Sequence, residues 1–411
     1  MRLLFLSNFY PPASRGGYEQ WCQEAALGLR SRAHDVLVLT SAHGNANHRS
    51  SDPSWVKREL HLEMEIASLR NAVRFFTARR QREEENLTLL QRTIETHQPD
   101  AILLWGMWNL PRSLPALAER LRPGKVVYYV GDYWITLPGQ FENYWNAPPR
   151  NFLTGLPKGL LKPVAKRILA REERPTLQLE HALFPSEFMR DELKRRGVSP
   201  KNAHVVYGAI DTAPYLDRRD RTRPNDGTSL LYVGRLTREK GVHTGIEAAA
   251  NLIYKHGLKN LKLTIVGDGD PDYAAHLRQL VDRMNLASYV TFIPAQPKEA
   301  LPSLYHQSDI LLFTSIWAEP FGRVIVEAMA SGLAVVGTKV GGASEILVDG
   351  ENALTFTPDD PESLSLQLKR LIESPALRER LAASGRETAV NLFDVRRMTG
   401  GIESYLQNVV R

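Results

Sequence analysis

Residues 319–330 have the sequence Glu-Pro-Phe-Gly-Arg-Val-Ile-Val-Glu-Ala-Met-Ala, which carries the clearest structural signal in the chain. The apolar run Ile310–Phe313 comes before it and is typical of a buried strand, so the local order is strand, loop, helix. The N–H groups of Gly322, Arg323 and Val324 then lie at a helix start, where unpaired donors and the helix dipole favour a phosphate. The stretch therefore predicts an α/β unit with an anion-binding loop.

Two glutamates stand at the two ends of this loop and helix. Glu327 lies about one turn inside the helix, where a carboxylate can accept two hydrogen bonds from a vicinal diol such as a ribose. Glu319 lies at the loop end, near whatever is attached beyond the phosphates. The alternative is one solvated and one buried glutamate beside an ordinary strand–helix unit. A hydrolase pair is disfavoured, because eight helical residues span roughly 12 Å and hydrolases place their carboxyls roughly 5–9.5 Å apart.

Strand-like and helix-like patterns alternate along all 411 residues, a length that suits two domains with parallel sheets covered by helices. In the first half the predicted strands are Leu3–Ser7, Val36–Thr40, Ala101–Leu104 and Val126–Val130, with shorter candidates at Ala182–Pro185 and His204–Tyr207. In the second half they are Leu230–Val233, Lys262–Val266, Val290–Ile293, Ile310–Phe313 and Ala334–Thr338. The polar, breaker-rich stretch 217–227 is typical of a linker, which predicts domains 1–207 and 208–394.

The composition bounds the class of protein. Its 43% hydrophobic and 24% charged residues are typical of a soluble globular protein. Cys22 is the only cysteine, so an internal disulfide is excluded and a reducing cytoplasm is permitted. The apolar start ends near Pro11, too early for a secretory signal, and the run Ala101–Leu110 is too short to span a bilayer. The net charge of +6 favours an anionic partner: a nucleotide sugar, a phospholipid surface or nucleic acid.

Two segments are strongly basic. Ile66–Arg82 has five arginines and no acid, beside Phe75 and Phe76, and Arg150–Arg174 has seven Lys and Arg against two glutamates. The second segment has apolar residues at partly helical spacing, so such a helix could lie on an anionic membrane face. The alternative, a helix with a solvated basic face, stays open.

Further short motifs follow one another in a recognisable order. They are Arg15-Gly16-Gly17 after Pro11-Pro12, Tyr232-Val233-Gly234-Arg235-Leu236 with Lys240-Gly241, Val266-Gly267-Asp268-Gly269, and Gly341-Gly342 with Glu345. With the two glutamates of residues 319–330, this set resembles the retaining glycosyltransferases of the GT-B fold, in particular glycosyltransferase family 4. The resemblance implies two Rossmann-like domains facing across a cleft. The first would bind the acceptor and be completed by a C-terminal helix, 395–411, and the second would bind the nucleotide-sugar donor.

The resemblance also implies roles for particular residues. Arg235 and Lys240 would hold the diphosphate, Glu319 the sugar hydroxyls and Glu327 the ribose. The remaining donor-side residues that it implies are Gly16, Gly17, Gly234, Gly267, Pro320, Phe321, Gly322, Arg323 and Val324, with Ala295 and Gln296 near the base. For Gly341, Gly342 and Glu345 packing is the favoured account.

One departure from the family pattern falls at residue 131. Many relatives carry a His-Asp pair here, whereas this chain has Gly131 before Asp132. Asp132 joins the predicted catalytic group, and Tyr133 and Trp134 are acceptor-side candidates whose alternative is wall packing. Either another side chain fills the gap left by the histidine or a bulkier donor does.

The implied reaction is front-face transfer with retention, in which the leaving diphosphate helps to deprotonate the acceptor and no enzyme nucleophile takes part. UDP is the first expectation and GDP the second, with a saccharide or lipid-linked acceptor, and no cofactor or metal is expected. Asp268 and Asp270 form an Asp-x-Asp pair, which metal-dependent transferases of a different fold use, but the glycines here follow a strand directly, as in the GT-B loop. A dinucleotide dehydrogenase is poorly supported, because Asp272 holds the last place of the G-x-G-x-x-G pattern.

Several expectations about context follow, and alternatives remain beside them. The protein is expected in the cytoplasm with peripheral contact to the inner membrane face, and no nucleic-acid motif is evident. Within enzymes the alternative is a transferase that makes a small soluble glycoside or disaccharide. From another class, it is a non-catalytic nucleotide-sugar-binding protein.

Overall fold

The structure, a computed structural model, describes residues 1–13, 16–43, 52–65, 70–148, 152–217 and 227–411, with the side chains of 152–157 excepted. Two compact units divide the chain. The first unit comprises Met1–Pro185, Met189–Val206 and Thr399–Arg411, and the second comprises Ser186–Phe188 and Tyr207–Met398. Arg15, Ile66, Arg150 and most of the predicted linker, 218–226, lie outside the described residues.

A seven-stranded parallel sheet forms the centre of the first unit, in the order β3-β2-β1-β4-β5-β6-β7. Its strands are β1 Arg2–Ser7, β2 Asp35–Ser41, β3 Val56–Leu60, β4 Ala101–Leu104, β5 Val126–Tyr129, β6 His181–Phe184 and β7 Asn202–Val205. All six strands predicted in this half exist, with ends shifted by at most two residues. The edge strand β3 was not predicted, because three charged residues, 57–59, interrupt its apolar pattern.

Helices cover this sheet. They are α1 Gly17–Ser31, α2 Asn71–Thr77, α3 Arg79–His97, α4 Ser113–Leu121, α5 Gln140–Asn146, α6 Phe152–Ala170 and α7 Glu187–Arg195, and the last helix of the chain is α15 Val395–Val410. The final part of α15 packs on the first unit: Glu403 pairs with His34 at 2.8 Å, and the Lys125 ammonium donates to the carbonyl of Val410 at 3.1 Å.

The second unit is built on a six-stranded parallel sheet in the order β10-β9-β8-β11-β12-β13. Its strands are β8 Thr228–Val233, β9 Leu261–Val266, β10 Val290–Ile293, β11 Ile310–Phe313, β12 Ala334–Gly337 and β13 Leu354–Thr355. Its helices are α8 Ala213–Leu216, α9 Val242–Tyr254, α10 Pro271–Arg283, α11 Leu301–His306, α12 Arg323–Ala330, α13 Pro361–Glu373 and α14 Pro375–Leu392. The predicted class, two parallel α/β sheets, is confirmed; only the two-residue β13 escaped prediction in this half.

Each sheet has one point where the direction of strand addition reverses. In the first unit this point lies between β1 and β4, and in the second it lies between β8 and β11. Helices on either side diverge there, which leaves a crevice at the carboxyl ends of the strands, the usual ligand position in open α/β sheets. The loops that follow these four strands are therefore the places to look for function.

Candidate functional site

The loops that follow β8 and β11 are held together by main-chain contacts. The Thr314 hydroxyl donates to the Lys240 carbonyl at 2.8 Å, and the Ile316 N–H donates to the Glu239 carbonyl at 2.9 Å. Gly241 has φ +61°, and a Cβ there would lie 2.2 Å from the Thr314 carbonyl oxygen. Only glycine permits so close an approach. The loops after β8 and β11 are therefore held together as one unit, which we call the rim.

This rim brings two of the predicted catalytic residues into contact. The Lys240 ammonium lies 2.8 Å from a carboxylate oxygen of Glu319, and both side chains are mostly buried, at 15% and 16% exposure. The ammonium also lies 5.8 Å from the ring centre of Trp317. A cation and a carboxylate thus share one small site at the reversal point of the sheet, where one can bind phosphate oxygens and the other hydroxyls.

Arg235 follows β8 directly and is exposed. The Tyr232 hydroxyl donates to the Arg235 carbonyl at 3.0 Å, which holds the main chain at this point. Within the part of the chain that the structure describes, no hydrogen bond or ion pair engages the Arg235 guanidinium. It is available to an anion.

Glycines shape the neighbouring loops by letting main chains touch. Gly267 has φ +146°, and a Cβ there would lie 1.9 Å from the Gly234 carbonyl oxygen. The structure therefore assigns both glycines a packing role. Beyond them the Asp268 carboxylate accepts from the Ala295 N–H at 2.9 Å, and the Gln296 amide donates to the Pro294 carbonyl at 3.0 Å.

The loop before α12 is held from the other side by β12 and its following turn. Gly341 pairs with Glu319 as an isolated bridge, and the Gly342 N–H donates to the Glu319 carbonyl at 2.7 Å. The Glu345 carboxylate accepts from the N–H groups of Glu187 and Phe188, at 2.9 and 2.7 Å. These contacts agree with the packing role expected for the three residues.

Helix α12 starts at Arg323, as the sequence predicts, but the side chains of Phe321 and Arg323 are directed into the protein. Phe321 is 3% exposed, with its ring 5.5 Å from that of Phe393, and the Pro320 carbonyl accepts from the Ser186 hydroxyl at 2.6 Å. The Arg323 guanidinium donates to the carbonyl of residue 209 at 3.0 Å. A donor contact from Phe321 would have to come from its main chain, like those predicted for Gly322 and Val324 at the helix start.

Glu327 is buried at 5% exposure. One carboxylate oxygen accepts from the Tyr305 hydroxyl at 2.9 Å, and the other lies 3.9 Å from the Arg323 Nε. Burial, with the Glu327 carboxylate adding to it, raises the pKa of Tyr305 well above its usual value, so the hydroxyl stays protonated and keeps donating. This partner was not predicted, because Tyr305 is 22 residues away and carries no motif. The ribose role of Glu327 stays a prediction.

In the first unit Gly16 and Gly17 stand at the start of α1. The Gly16 N–H donates to the Glu19 carboxylate at 3.0 Å, which caps the helix, and a Cβ at Gly16 would meet nothing within 4 Å. Gly131 is different, since a Cβ there would lie 3.0 Å from the ring of Tyr18. The same ring lies 3.3 Å from the Cβ position of Gly106. Tyr18 therefore fills the space beside Gly131, the first of the two outcomes considered above.

After Gly131 come three predicted residues whose side chains lie in different surroundings: Asp132, Tyr133 and Trp134. The Asp132 carboxylate accepts from the Trp134 N–H at 3.1 Å. Desolvation, with the Glu19 carboxylate nearby, raises the pKa of Asp132 to about 7. The ring of Tyr133 lies under the guanidinium of Arg196 at 4.2 Å, whereas Trp134 lines a cavity inside the first unit.

The acidic pair at 268 and 270 is occupied by structural contacts. Asp268 bonds the loop after β10, as above, and Asp270 caps α10 by accepting from the Tyr273 N–H at 2.9 Å. Among the residues that the structure describes, no group of three or more His, Cys, Asp or Glu side chains is arranged to hold a metal ion. The expectation that the site needs no metal stays a prediction.

Comparison with known proteins matches both units. The family model described as glycosyl transferases group 1 matches residues 216–388, and the model described as glycosyltransferase family 4 matches residues 15–214. A glycogen synthase of Mycobacterium tuberculosis is 26% identical over 416 aligned positions, covering 96% of this chain and 91% of the relative. A D-inositol 3-phosphate glycosyltransferase of Rhodococcus opacus is 29% identical over 59% of this chain and 56% of its own.

Solved structures agree on the fold. A glycosyltransferase from Rickettsia africae superposes with a TM-score of 0.74 at 18% identity, covering 100% of this chain and 98% of its own. Anabaena HepE, solved with UDP and glucose, superposes with a TM-score of 0.70 at 24% identity, covering 99% and 100%. The fold is GT-B, and with both family models matched in their own halves the chain belongs to glycosyltransferase family 4, the group 1 glycosyltransferases.

Proposed function

We propose that this protein is a retaining glycosyltransferase that moves a sugar from a nucleoside diphosphate sugar to a hydroxyl of a saccharide or lipid-linked acceptor. The observation that carries the proposal is the contact between Lys240 and Glu319, with the exposed Arg235 in the loop after the same strand. One position thus offers two cations and one carboxylate, the groups that a sugar diphosphate needs.

The reaction follows from the charges. The bond between the anomeric carbon and the diphosphate oxygen breaks, and negative charge grows on the diphosphate. Lys240 and Arg235 stabilise that charge, which lowers the barrier. The acceptor hydroxyl attacks on the face that the diphosphate leaves, and its proton passes to a diphosphate oxygen. Glu319 holds the sugar hydroxyls and forms no covalent bond.

The donor base is the first thing to test. UDP is our first choice and GDP the second; a protein of the same fold has been solved with UDP and glucose. Thermal unfolding would be followed with UDP, GDP, ADP and CMP in EDTA, because a ligand that binds only the folded state raises the Tm. A rise with one diphosphate supports the donor site. No rise with any of them, or activity that EDTA abolishes, counts against it.

Peripheral membrane contact forms part of the proposal. On α6, Leu160 is 74% and Val164 is 53% exposed, and Lys166 and Arg167 on the same helix are also exposed. Apolar side chains beside cations favour an anionic bilayer surface. The first basic segment supports this less, because Arg79 pairs with Glu172 and Arg74 with Glu65. Within the described residues no helix has the length and apolar character to cross a membrane.

Vesicle flotation separates a lipid-linked acceptor from the alternative, a small soluble one. We expect the protein to float with vesicles that contain anionic lipid, and L160S/V164S to float less. Leu366, exposed on α13 of the second unit, provides the matched control L366S. No flotation of the native protein would favour the soluble glycoside. UDP binding without turnover of any sugar would favour the non-catalytic alternative.

A further inference from the structure

A cavity of about 500 Å³ lies wholly within the first unit. Its wall is formed by residues that follow β4 and β5, by α3, α5 and the end of α6, and by the segment 172–175. The volume falls within the range of pockets that bind small molecules, roughly 300–1,000 Å³. None of the predicted donor-side residues lines it.

Aromatic side chains form one part of the wall. Trp108, Trp134, Phe141 and Trp145 line the cavity, and the last three are at most 7% exposed. Phe141 and Trp145 are fixed from behind by Phe75, whose ring centre lies 5.1 and 5.6 Å from theirs. Rigid aromatic walls suit the C–H faces of a ring-shaped ligand.

Polar groups form the other part of the wall. The Glu63 carboxylate accepts from the Gln140 N–H at 3.1 Å through one oxygen, and within the described residues no donor reaches the other. The Arg112 guanidinium donates to the Ile135 carbonyl at 2.9 Å, yet its buried Nε has no acceptor among the described residues, and neither has the indole N–H of Trp145. Both of these donors are closed off from solvent, so the group with unfilled hydrogen-bonding capacity toward the cavity is the second carboxylate oxygen of Glu63.

The charges on the wall do not favour an ionic ligand. Four cationic and five acidic side chains line the cavity, so neither sign prevails. Arg79 and Glu172 form a bidentate pair and neutralise one another's charge. Burial raises the pKa of Glu63 to about 7, so its carboxyl can donate as well as accept near neutral pH. Aromatic faces with donors and acceptors but no excess charge suit a neutral polyhydroxylated ring.

We infer that this cavity binds a neutral sugar unit of the acceptor, with Glu63 and Arg112 on its hydroxyls and the tryptophans against its ring. The identification of this sugar as an acceptor rests on the proposed function, but its binding to the cavity can be measured without a donor. It makes Glu63 a specificity-determining residue in a place where no motif marks it.

The test uses the full-length protein and methyl α-glycosides of glucose, galactose, mannose and N-acetylglucosamine, followed by saturation-transfer NMR and titration. We expect saturable binding of at least one glycoside. E63Q should weaken it about tenfold, because the amide replaces one acceptor oxygen of the carboxyl group by a donor and a hydrogen bond to the ligand is lost. A170W, which adds bulk at the lip of the cavity, should weaken it too. E84Q, an exposed neighbour on α3 outside the cavity, is the matched control and should bind unchanged.

Three results would overturn the inference: no glycoside binds, only inorganic phosphate or glucose 6-phosphate binds, or E63Q and A170W bind like the native protein. UDP stabilisation, measured on the same samples, keeps the two proposals apart. If UDP raises the Tm while no glycoside binds, the cavity proposal fails alone. If a glycoside binds and no nucleotide raises the Tm, the donor site fails and the cavity stands.

Discussion

The candidate sites of the two units are built in opposite ways. In the second unit the main chain does the positioning: Gly241 lies against Thr314 and Gly267 against Gly234, and the loops carry Lys240 to Glu319. In the first unit side chains from separate elements surround a cavity, and Gly139, a glycine among its described lining residues, makes no close main-chain contact. Short motifs mark the first kind of site because close main-chain contact permits only glycine. The second kind leaves no motif.

The two sites also differ in charge. Around Lys240 the second unit offers cations with a single partnering carboxylate, together with an exposed Arg235, an arrangement suited to an anion. The cavity of the first unit has nearly balanced charges and aromatic walls. Variants that should affect one site and leave the other unchanged test this difference.

The largest effect is expected from E319A. It removes the partner of Lys240 and the group proposed to hold the sugar, so transfer should fall at least about 100-fold. Turnover of the stabilising nucleotide's sugar would be measured by release of the nucleotide, with Tm as a check on folding. E239A, an exposed neighbour whose carbonyl still holds Ile316, should stay active. An active, folded E319A would remove Glu319 from the site.

R235A should weaken nucleotide binding about 10- to 100-fold, the usual cost of losing a charge-assisted hydrogen bond. The measurement is the concentration of UDP that gives half of the full Tm rise. R238A, also exposed and three residues further on, is the matched control and should bind as the native protein does. Equal losses in both variants would mean that only net charge matters there.

G131A probes the packing of the first unit. The added Cβ would meet the ring of Tyr18 at 3.0 Å, and the Tyr18 hydroxyl is fixed on the Tyr129 carbonyl. We expect a loss of about 1–2 kcal/mol in the free energy of unfolding, typical of mild overpacking. Chemical denaturation would measure it, with G16A as control because open space surrounds that position. Y18F frees the ring from its anchor and should reduce the cost of G131A; an unchanged cost would contradict this account.

The smallest effect concerns pH. The pKa of Asp132 is raised to about 7 from its ordinary value of 3.8, so the folded protein binds the proton more tightly than the unfolded chain does. The stabilising contribution is therefore complete below about pH 4 and is lost as pH rises through about 7. D132N should lose less stability than the native protein between pH 5 and pH 8, because it has no proton to lose in that interval.

Thermal unfolding at the two pH values measures this difference. D282N, at an exposed position on α10, should follow the native protein. A D132N variant with the native pH dependence would show that the Asp132 carboxyl is solvated in the folded state.

Most strands of both sheets follow from the sequence, since buried parallel strands are short apolar runs and helices separate them, whereas the strand order and its reversal points come from the structure. The strand β3 was missed because residues 57–59 are all charged: Lys57 and Glu59 keep some exposure at the edge of the sheet, and the buried Arg58 pairs with Asp52 at 2.7 Å. Arg235, Lys240 and Glu319 were found because they stand in an ordered set of short motifs that resembles the family.

Three features could be predicted from the amino-acid sequence: the two parallel α/β sheets, the glycosyltransferase family, and the candidate residues in the loops after β8 and β11. The folded structure was needed to show that Tyr18 occupies the space beside Gly131, that Glu327 is buried against Tyr305, and that a cavity lies between α3, α5 and α6. The difference comes from how far apart along the chain the interacting residues stand. Periodicity and glycine conformation act locally and leave a record in the chain, whereas side-chain packing joins residues whose separation in sequence carries no signal.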